Sequence, residues 1–369
     1  MQKLRFHLLA LPHTNVTQDF FHCAYTAKVH GFTRMMMSLG HEVYLYAGEE
    51  TTAEPTELIT CLSEEDRIKA VGLGHYTSTS FDTNLPHWRT FNTTAIKEIK
   101  KRIQPKDFIL VIGGLAQKEI ADAFPENMAV EWGIGYSGTF AKYKVYESHT
   151  WRAACSAQWK NAASVDVNLF DTVINGYYDL DNFPMELKKE DYYVYLGRMT
   201  KRKGVDLAAE ACKAAGVRLI FAGSGDYIPS YGEYIGEVNS HERKALLGKA
   251  IASFNPTLYL EPFCNAHVEA LACGTPVIST DFGIFTETIK NGFNGYRCNT
   301  LSEFVKAIED VKTLDHRAIA TDAYVNYSMD VTKYKYDRYF NRLMTLWDAG
   351  WYQLPTDNSQ EIVTQKLSK

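Results

Sequence analysis

The sequence predicts an α/β protein of two parallel-sheet domains facing a cleft, and three observations carry that expectation. The chain has 369 residues, more than one ordinary core of roughly 100 to 200 residues accommodates. Short apolar runs bounded by turn residues alternate with stretches of helical period, the βαβ rhythm of a parallel sheet. That rhythm stops at a charged segment, 183 to 191, which contains Pro184, and then restarts.

The elements follow in order. Leu4 to Ala10 reads as a buried strand, and a polar loop from Pro12 to Cys23 follows it. Val29, Phe32, Met36 and Leu39 then share one helix face, with Gly40 as the cap. Glu42 to Ala47, Phe108 to Ile112, Met128 to Trp132 and Thr172 to Ile174 continue as strands, with Gln117 to Ala123 helical between them. After the linker, Tyr192 to Leu196, Val217 to Ala222, Leu258 to Leu260, Pro276 to Thr280 and Asn294 to Cys298 read as strands. Val205 to Ala215 and Ser302 to Val311 read as helices. Tyr336, Phe340, Leu343 and Trp347 have helical spacing and no strand after them. The expected boundaries are 1–182 for an N-terminal domain, 183–330 for a C-terminal domain, 331–352 for a helix returning to the N-terminal domain, and 353–369 for a polar tail.

Composition narrows the class. With 46% hydrophobic and 22% charged residues the chain is globular, and a net charge of −5 argues against a long polyanion as partner. Seven cysteines without a CxxC pair suggest neither a disulfide framework nor a zinc knuckle. A reducing, cytoplasmic setting is expected, since no signal-peptide pattern and no apolar run of 18 residues occurs. The sequons at Asn15, Asn92 and Asn326 are then chance matches. Lys97, Lys100, Lys101 and Arg102, interleaved with Ile96, Ile99 and Ile103, read as a solvated helix face, with peripheral contact to anionic lipid as the alternative.

Two stretches of the second half carry chemistry. The octapeptide GRMTKRKG, Gly197 to Gly204, lies between a strand and a helix, at the carboxyl end of the strand where α/β sheets bind ligands. Arg198 supplies a planar fork and Lys203 a mobile point charge beside a helix N-terminus, a combination suited to a diphosphate. The second stretch is EPFCNAHVE, Glu261 to Glu269. Its first carboxylate is expected at the end of the strand closing at Leu260 and its second one turn into a helix. Both can then accept hydrogen bonds from sugar hydroxyls in one crevice, while the amides near Cys264, Asn265 and Ala266 meet phosphate oxygens. Ala272-Cys273-Gly274-Thr275-Pro276 then turns into a buried strand ending at Asp281, followed by Gly283, Glu287 and the Asn-Gly turns of 291–295.

Taken in order, GRxxxxKG, Gly223-Ser224-Gly225 after a strand, Glu-x7-Glu, ACGTPVIST and Glu287 resemble the retaining glycosyltransferases of family 4, glycosyl transferases group 1, over roughly 192 to 312. The resemblance implies a GT-B fold of two Rossmann-like domains and transfer of a sugar, a hexose, from a nucleoside diphosphate donor of UDP or GDP type. Retention of anomeric configuration and independence of metal or other cofactor are implied with it. It places Arg198 and Lys203 on the donor diphosphate, Glu269 on the ribose and Glu261 at the donor sugar, making Glu261, Arg198 and Lys203 the catalytic set. Gly223 and Gly225 would line the nucleotide pocket with Cys264, Asn265 and Ala266. No nucleophile is assigned. A front-face reaction, in which the leaving phosphate helps deprotonate the acceptor, is implied.

The N-terminal half departs from that family's pattern. Its first loop reads Pro12-His13-Thr14-Asn15 where two glycines are common, and an inner strand runs into Glu131-Trp132-Gly133 where a histidine is common. His13 and Glu131 are the candidates for the acceptor side. The acceptor stays open among a glycan, a lipid-linked glycan, a protein, a small molecule and a modified nucleic-acid base. A non-catalytic sugar-nucleotide or glycan-binding protein and a nucleotide-sugar epimerase are the rival readings. Gly133 to Gly138 spells GxGxxG but follows an inner strand, and Asp179-Leu180-Asp181 spells DxD away from any phosphate motif. Both read as turns.

Overall fold

Strands with apolar side chains on both faces need cover on both faces, so this chain builds parallel sheets flanked by helices. The computed structural model describes residues 2–72, 82–157 and 168–348; the expected tail, 353–369, lies outside them. Two compact units result: unit 1 holds Met1–Glu147, Cys155–Tyr177 and the chain from Met329, and unit 2 holds Ser148–Ala154 and Tyr178–Ser328.

Unit 1 carries β1 (Arg5–Leu9), β2 (Glu42–Gly48), β3 (Glu57–Leu62), β4 (Phe108–Val111), β5 (Met128–Ile134), β6 (Tyr143–Tyr146) and β7 (Thr172–Val173). All pair in parallel, in the order β3-β2-β1-β4-β5-β6-β7. The helices α1 (Ala24–Ser38), α2 (Glu64–Val71), α3 (Pro86–Ile99) and α4 (Lys118–Asp122) cover it. α5 (His149–Ala157) begins in unit 2 and ends in unit 1.

Unit 2 carries β8 (Tyr193–Leu196), β9 (Leu219–Ala222), β10 (Glu233–Tyr234), β11 (Ser253–Asn255), β12 (Val277–Thr280) and β13 (Gly295–Cys298). Their order, β10-β9-β8-β11-β12-β13, is again parallel throughout. Around it lie α6 (Val205–Ala215), α7 (Ser240–Lys249), α8 (Asn265–Ala272), α9 (Phe285–Thr288), α10 (Leu301–Asp310) and α11 (His316–Tyr327). The last described helix, α12 (Met329–Asp348), belongs to unit 1. Its Tyr336, Tyr339, Phe340 and Leu343 enter the core with Phe6, Phe32, Phe108 and Trp132. Phe340 lies 4.8 Å from the Phe6 ring and 5.0 Å from that of Phe108.

One expected strand is displaced. Leu258 to Leu260 is a loop, and the strand sits earlier, as β11, over Ser253–Asn255. Pro256, without an N–H for a ladder, follows that strand at once, and Leu258 and Leu260 are exposed. Glu261 therefore stands on a loop and not at a strand's end.

In both sheets the strand order reverses beside the first strand of the unit, the switch point where open α/β sheets form a crevice. Unit 1 fills its own. Gln117, fully buried, accepts from the N–H of Ile112 (3.2 Å) and Gly113 (2.8 Å) at the end of β4, and donates to the carbonyl of Ala10 (2.7 Å) after β1. One amide thus ties the two diverging strands together.

Phe340→Ala is expected to cost unit 1 about 3–5 kcal/mol, the usual range for a buried phenylalanine. Urea unfolding followed by tryptophan fluorescence reads this, and a loss below about 1 kcal/mol would show that α12 is not part of the unit 1 core.

Candidate functional site

The switch point of unit 2 lies between β8 and β11, and the two chemical stretches meet there. The loop after β8 is fixed by backbone pairing: Gly197 donates to Ala222 (3.0 Å), Met199 to the Ser224 carbonyl (2.7 Å), and Leu258 to Arg202 (2.9 Å). Two glycines make that approach possible. Gly204 has φ +75°, and a Cβ there would stand 1.8 Å from the Pro256 carbonyl oxygen. Gly223 has φ +137°, and a Cβ there would stand 2.0 Å from the Gly197 carbonyl oxygen. Neither distance admits a side chain, and both φ values are ones that L side chains rarely adopt. Gly225, at φ +121°, passes Met199 in the same way.

On this frame Lys203 Nζ reaches Glu261 Oε1 at 2.5 Å, and Thr257 Oγ1 donates to the same oxygen at 2.9 Å. The Tyr259 ring lies under both Arg202 (4.1 Å) and Lys203 (5.2 Å). Burial alone would lower the Lys203 pKa. The negative charges that can face it, on Cys264 and Glu261, more than offset burial and hold the ammonium above its ordinary value. Cys264 itself, fully buried, is pushed up to about 12, so near neutral pH the acting charge is Glu261. Arg198 is exposed, while its carbonyl accepts from Tyr195 (2.8 Å).

Glu269 sits one turn into α8, and Arg243 on α7 holds its Oε2 through Nε at 2.6 Å and through Nη2. Burial raises the Glu269 pKa above the usual carboxylate range, and Arg243 offsets part of that. The two carboxylates share a design: a cation fixes one oxygen of each. Among the described residues nothing donates to Oε2 of Glu261 or Oε1 of Glu269. The first-turn amides of α8, at Cys264, Asn265 and Ala266, begin beside this pair. Asn265 Oδ1 accepts from Tyr178 at 2.7 Å.

Glu287 serves a structural end. It accepts from the N–H of His149 (2.9 Å) and Thr150 (2.7 Å) and from the Thr150 hydroxyl (2.6 Å), so it caps α5 from outside that helix.

The acceptor-side candidates each have their own neighbours within unit 1. Glu131 is fully buried; its Oε2 accepts from the N–H of Phe140 (2.7 Å) and Ala141 (2.8 Å), and its Oε1 from Tyr136 (3.2 Å). Burial raises its pKa, and these donors oppose that. It organises the loop containing the GxGxxG string. His13, in the loop after β1, lies 6.4 Å from the Trp88 ring. Burial, reinforced by the charges of His87 and Arg67, pushes its pKa down to about 4. Asn15 and Asn92 are buried and hydrogen-bonded to Glu64 and Glu119, which closes those sequons to modification. In the basic patch at the end of α3 and the turn after it, Lys101 pairs with Glu98, and Arg102 with Glu98 and Glu57.

Comparison with known proteins now adds to this geometry. Residues 180–324 match the profile described as glycosyl transferases group 1. Those residues belong to the glycosyl transferases group 1 family. The group 1 segment contains Arg198, Lys203, Glu261 and Glu269, and Arg243 as well. An uncharacterized glycosyltransferase of Methanocaldococcus jannaschii, MJ1607, is 32% identical over 123 residues, which is 29% of this chain and 31% of that protein. The chain thus spans about a third of the length of the curated relatives it matches. Solved structures cover more. AviGT4, a glycosyltransferase involved in avilamycin A biosynthesis, superposes with a TM-score of 0.67 at 18% identity over 93% of this chain and 98% of its own. Alr3699/HepE of Anabaena, solved with UDP and glucose, gives 0.61 at 13% identity over 90% and 98%. At such identities the likeness is one of fold, and the fold is GT-B.

Arg243, Thr257 and Gln117 escaped the sequence reading. Arg243 lies 26 residues before its partner on a separate helix, and no local spacing signals that pair. Arg243→Ala leaves Glu269 buried without its cation, and a loss of about 3–5 kcal/mol is expected. Arg243→Lys should recover part of it; equal loss in both variants by urea titration would discount the charge.

His267 is wholly buried among Phe263, Phe285 and Tyr327, with the Cys264 backbone as its polar neighbour. Burial pushes its pKa down to about 4. The unfolded chain takes up this proton below about pH 6.5 and the folded one does not, so stability falls as pH drops from 6.5 toward 4, by about 3 kcal/mol at most. His13 acts with the same sign in unit 1. A His267→Leu variant should show a shallower fall across that window than the parent, and parallel curves would refute the assignment.

Proposed function

We propose that the protein transfers a sugar, a hexose, from a nucleoside diphosphate donor to an acceptor with retention of configuration. The observation that carries this reading is the pair of half-engaged carboxylates at the switch point of unit 2. Each has one oxygen held by a cation and the other left to accept from a ligand hydroxyl, and a charge-assisted bond of this kind contributes about 1.5–3 kcal/mol. Glu261 serves the donor sugar and Glu269 the ribose. Arg198 and Lys203, with the amides at Cys264, Asn265 and Ala266, face the diphosphate.

In this reading Lys203 has two tasks. It offsets the charge that builds on the leaving diphosphate, and its grip on Oε1 aims the other oxygen of Glu261 at the sugar. The close packing of Gly204 and Gly223 fixes the loop before any ligand arrives, so little reorganisation accompanies the charge shift. The acceptor oxygen then attacks the anomeric carbon on the face from which the diphosphate oxygen departs, and its proton passes to the leaving phosphate, so the step uses neither a protein nucleophile nor a protein base. UDP with glucose in Anabaena HepE makes UDP-glucose the donor to try first.

Incubation of the purified protein with a panel of UDP- and GDP-sugars, with release of nucleoside diphosphate as readout, tests this. One donor is expected to be hydrolysed slowly without acceptor. Lys203→Ala and Glu261→Gln should each lower turnover on the order of 100-fold, the equivalent of about 3 kcal/mol. Glu269→Gln should act mainly on the donor KM. Normal rates in the first two variants would remove the assignment; donor binding by calorimetry without turnover would favour a binding protein.

A further inference from the structure

Unit 1 contains a third acid of the half-engaged kind found in unit 2. Glu147 follows the last residue of β6 and is the last residue of unit 1 before the chain first crosses. Its Oε2 is held at 2.8 Å by Lys28 of α1, and the two side chains are only 6% and 10% exposed. Among the described residues no hydrogen bond reaches Oε1, whereas the small exposed fraction keeps the carboxylate open to the surface. The position is the carboxyl edge of a parallel sheet, the edge at which open α/β sheets take ligands.

The surroundings are built for this pair. Lys28 Nζ also donates to the Gly133 carbonyl (3.3 Å) and lies 4.6 Å from the Tyr25 ring centre. The β5–β6 register shifts between Glu131 and Ile134, and Gly133 inside that irregularity has φ +58°, where a Cβ would stand 3.2 Å from Lys28 Cδ. The bulge thus leaves room for the lysine and presents a carbonyl to it. Tyr177 donates to the Lys28 carbonyl (2.6 Å) and Asn175 to the Glu147 carbonyl (2.8 Å), so both backbones are fixed as well. A buried ion pair gains little over apolar residues of the same volume. Stability alone does not account for one assembled with this much support.

We propose that Glu147 binds the acceptor: its Oε1 accepts from a hydroxyl of a neutral saccharide, and Lys28 acts as the positioning residue that holds the other oxygen. The inference rests on the sugar-transfer reading and adds to it the acceptor's chemical class. The charges select that class. Lys28 cancels Glu147, so the pair as a whole draws neither a cation nor an anion, while an uncharged O–H still makes a charge-assisted bond to the carboxylate oxygen. Burial, with the negative charge of Glu147 added to it, raises the Tyr25 pKa, so this neighbour stays a neutral O–H group. A carboxylate oxygen beside a neutral phenol suits the adjacent hydroxyls of a sugar.

The test measures nucleoside diphosphate release by the full chain from UDP- and GDP-sugars, alone and with the methyl glycosides of glucose, galactose and mannose. At least one glycoside is expected to accelerate release. Glu147→Gln should raise the KM for that glycoside about tenfold or more, with a smaller change in kcat. The K28M/E147L variant removes both charges at once. It is expected to melt near the parent and to bind UDP or GDP by calorimetry as the parent does, yet to lose the response to the glycoside. A purely structural pair would leave that response intact. Should K28M/E147L fail to fold, the glycoside KM of E147Q decides. A parent that releases nucleoside diphosphate but responds to no glycoside overturns the proposal and leaves the donor reading standing. So does an unchanged KM in E147Q, or a full response in folded K28M/E147L. A parent that neither binds nor releases nucleoside diphosphate overturns both.

Discussion

The contact on which the candidate site rests is between backbones: the carbonyl of Pro256 on the face of Gly204, and that of Gly197 on the face of Gly223. These approaches lock the loops after β8, β9 and β11 into one layer. Only then can Lys203, at the end of the first loop, meet Glu261, at the end of the third. A charged pair built on flexible loops would have to order them on each encounter with a ligand. Here backbone pairing and the close approach at the two glycines order the loops at folding.

The second principle is the division of each acid between a protein cation and a free oxygen. A carboxylate buried without a partner would take up a proton, and one saturated by partners could bind nothing more. Arg243 on Glu269 and Lys203 on Glu261 avoid both extremes. Glu131 shows the contrast, with both oxygens engaged by the loop of 136–141.

What was legible in the sequence follows from this. GRxxxxKG and Gly223-Ser224-Gly225 stand out because close backbone approach dictates glycine at fixed places, and such constraints are local. The rhythm of strands and helices was legible because burial on both faces leaves continuous apolar runs. The strand at Leu258 to Leu260 was misplaced because an apolar triplet resembles a strand, whereas the pairing edge had ended before Pro256. Arg243, Thr257 and Gln117 were invisible for the opposite reason: each matters through a partner that folding alone brings near. The acceptor-side candidates His13 and Glu131 rested on residue type and loop position, with no such local constraint behind them.

Glu287 bears on how the chain can be divided. The acid lies far into the group 1 segment, yet it caps a helix whose first residues, His149 and Thr150, precede the linker by more than 30 positions. The chain passes from one unit to the other at 147, 154, 177 and 328. Severing it at the linker therefore cannot yield two intact halves. The downstream fragment would carry a carboxylate deprived of the amides it was shaped for, together with a terminal helix whose aromatic face belongs to the other piece. In evolutionary terms the units are bound to one inheritance: a recombination that exchanged one half for a relative's would have to carry a short internal stretch and a distant terminal helix along with it.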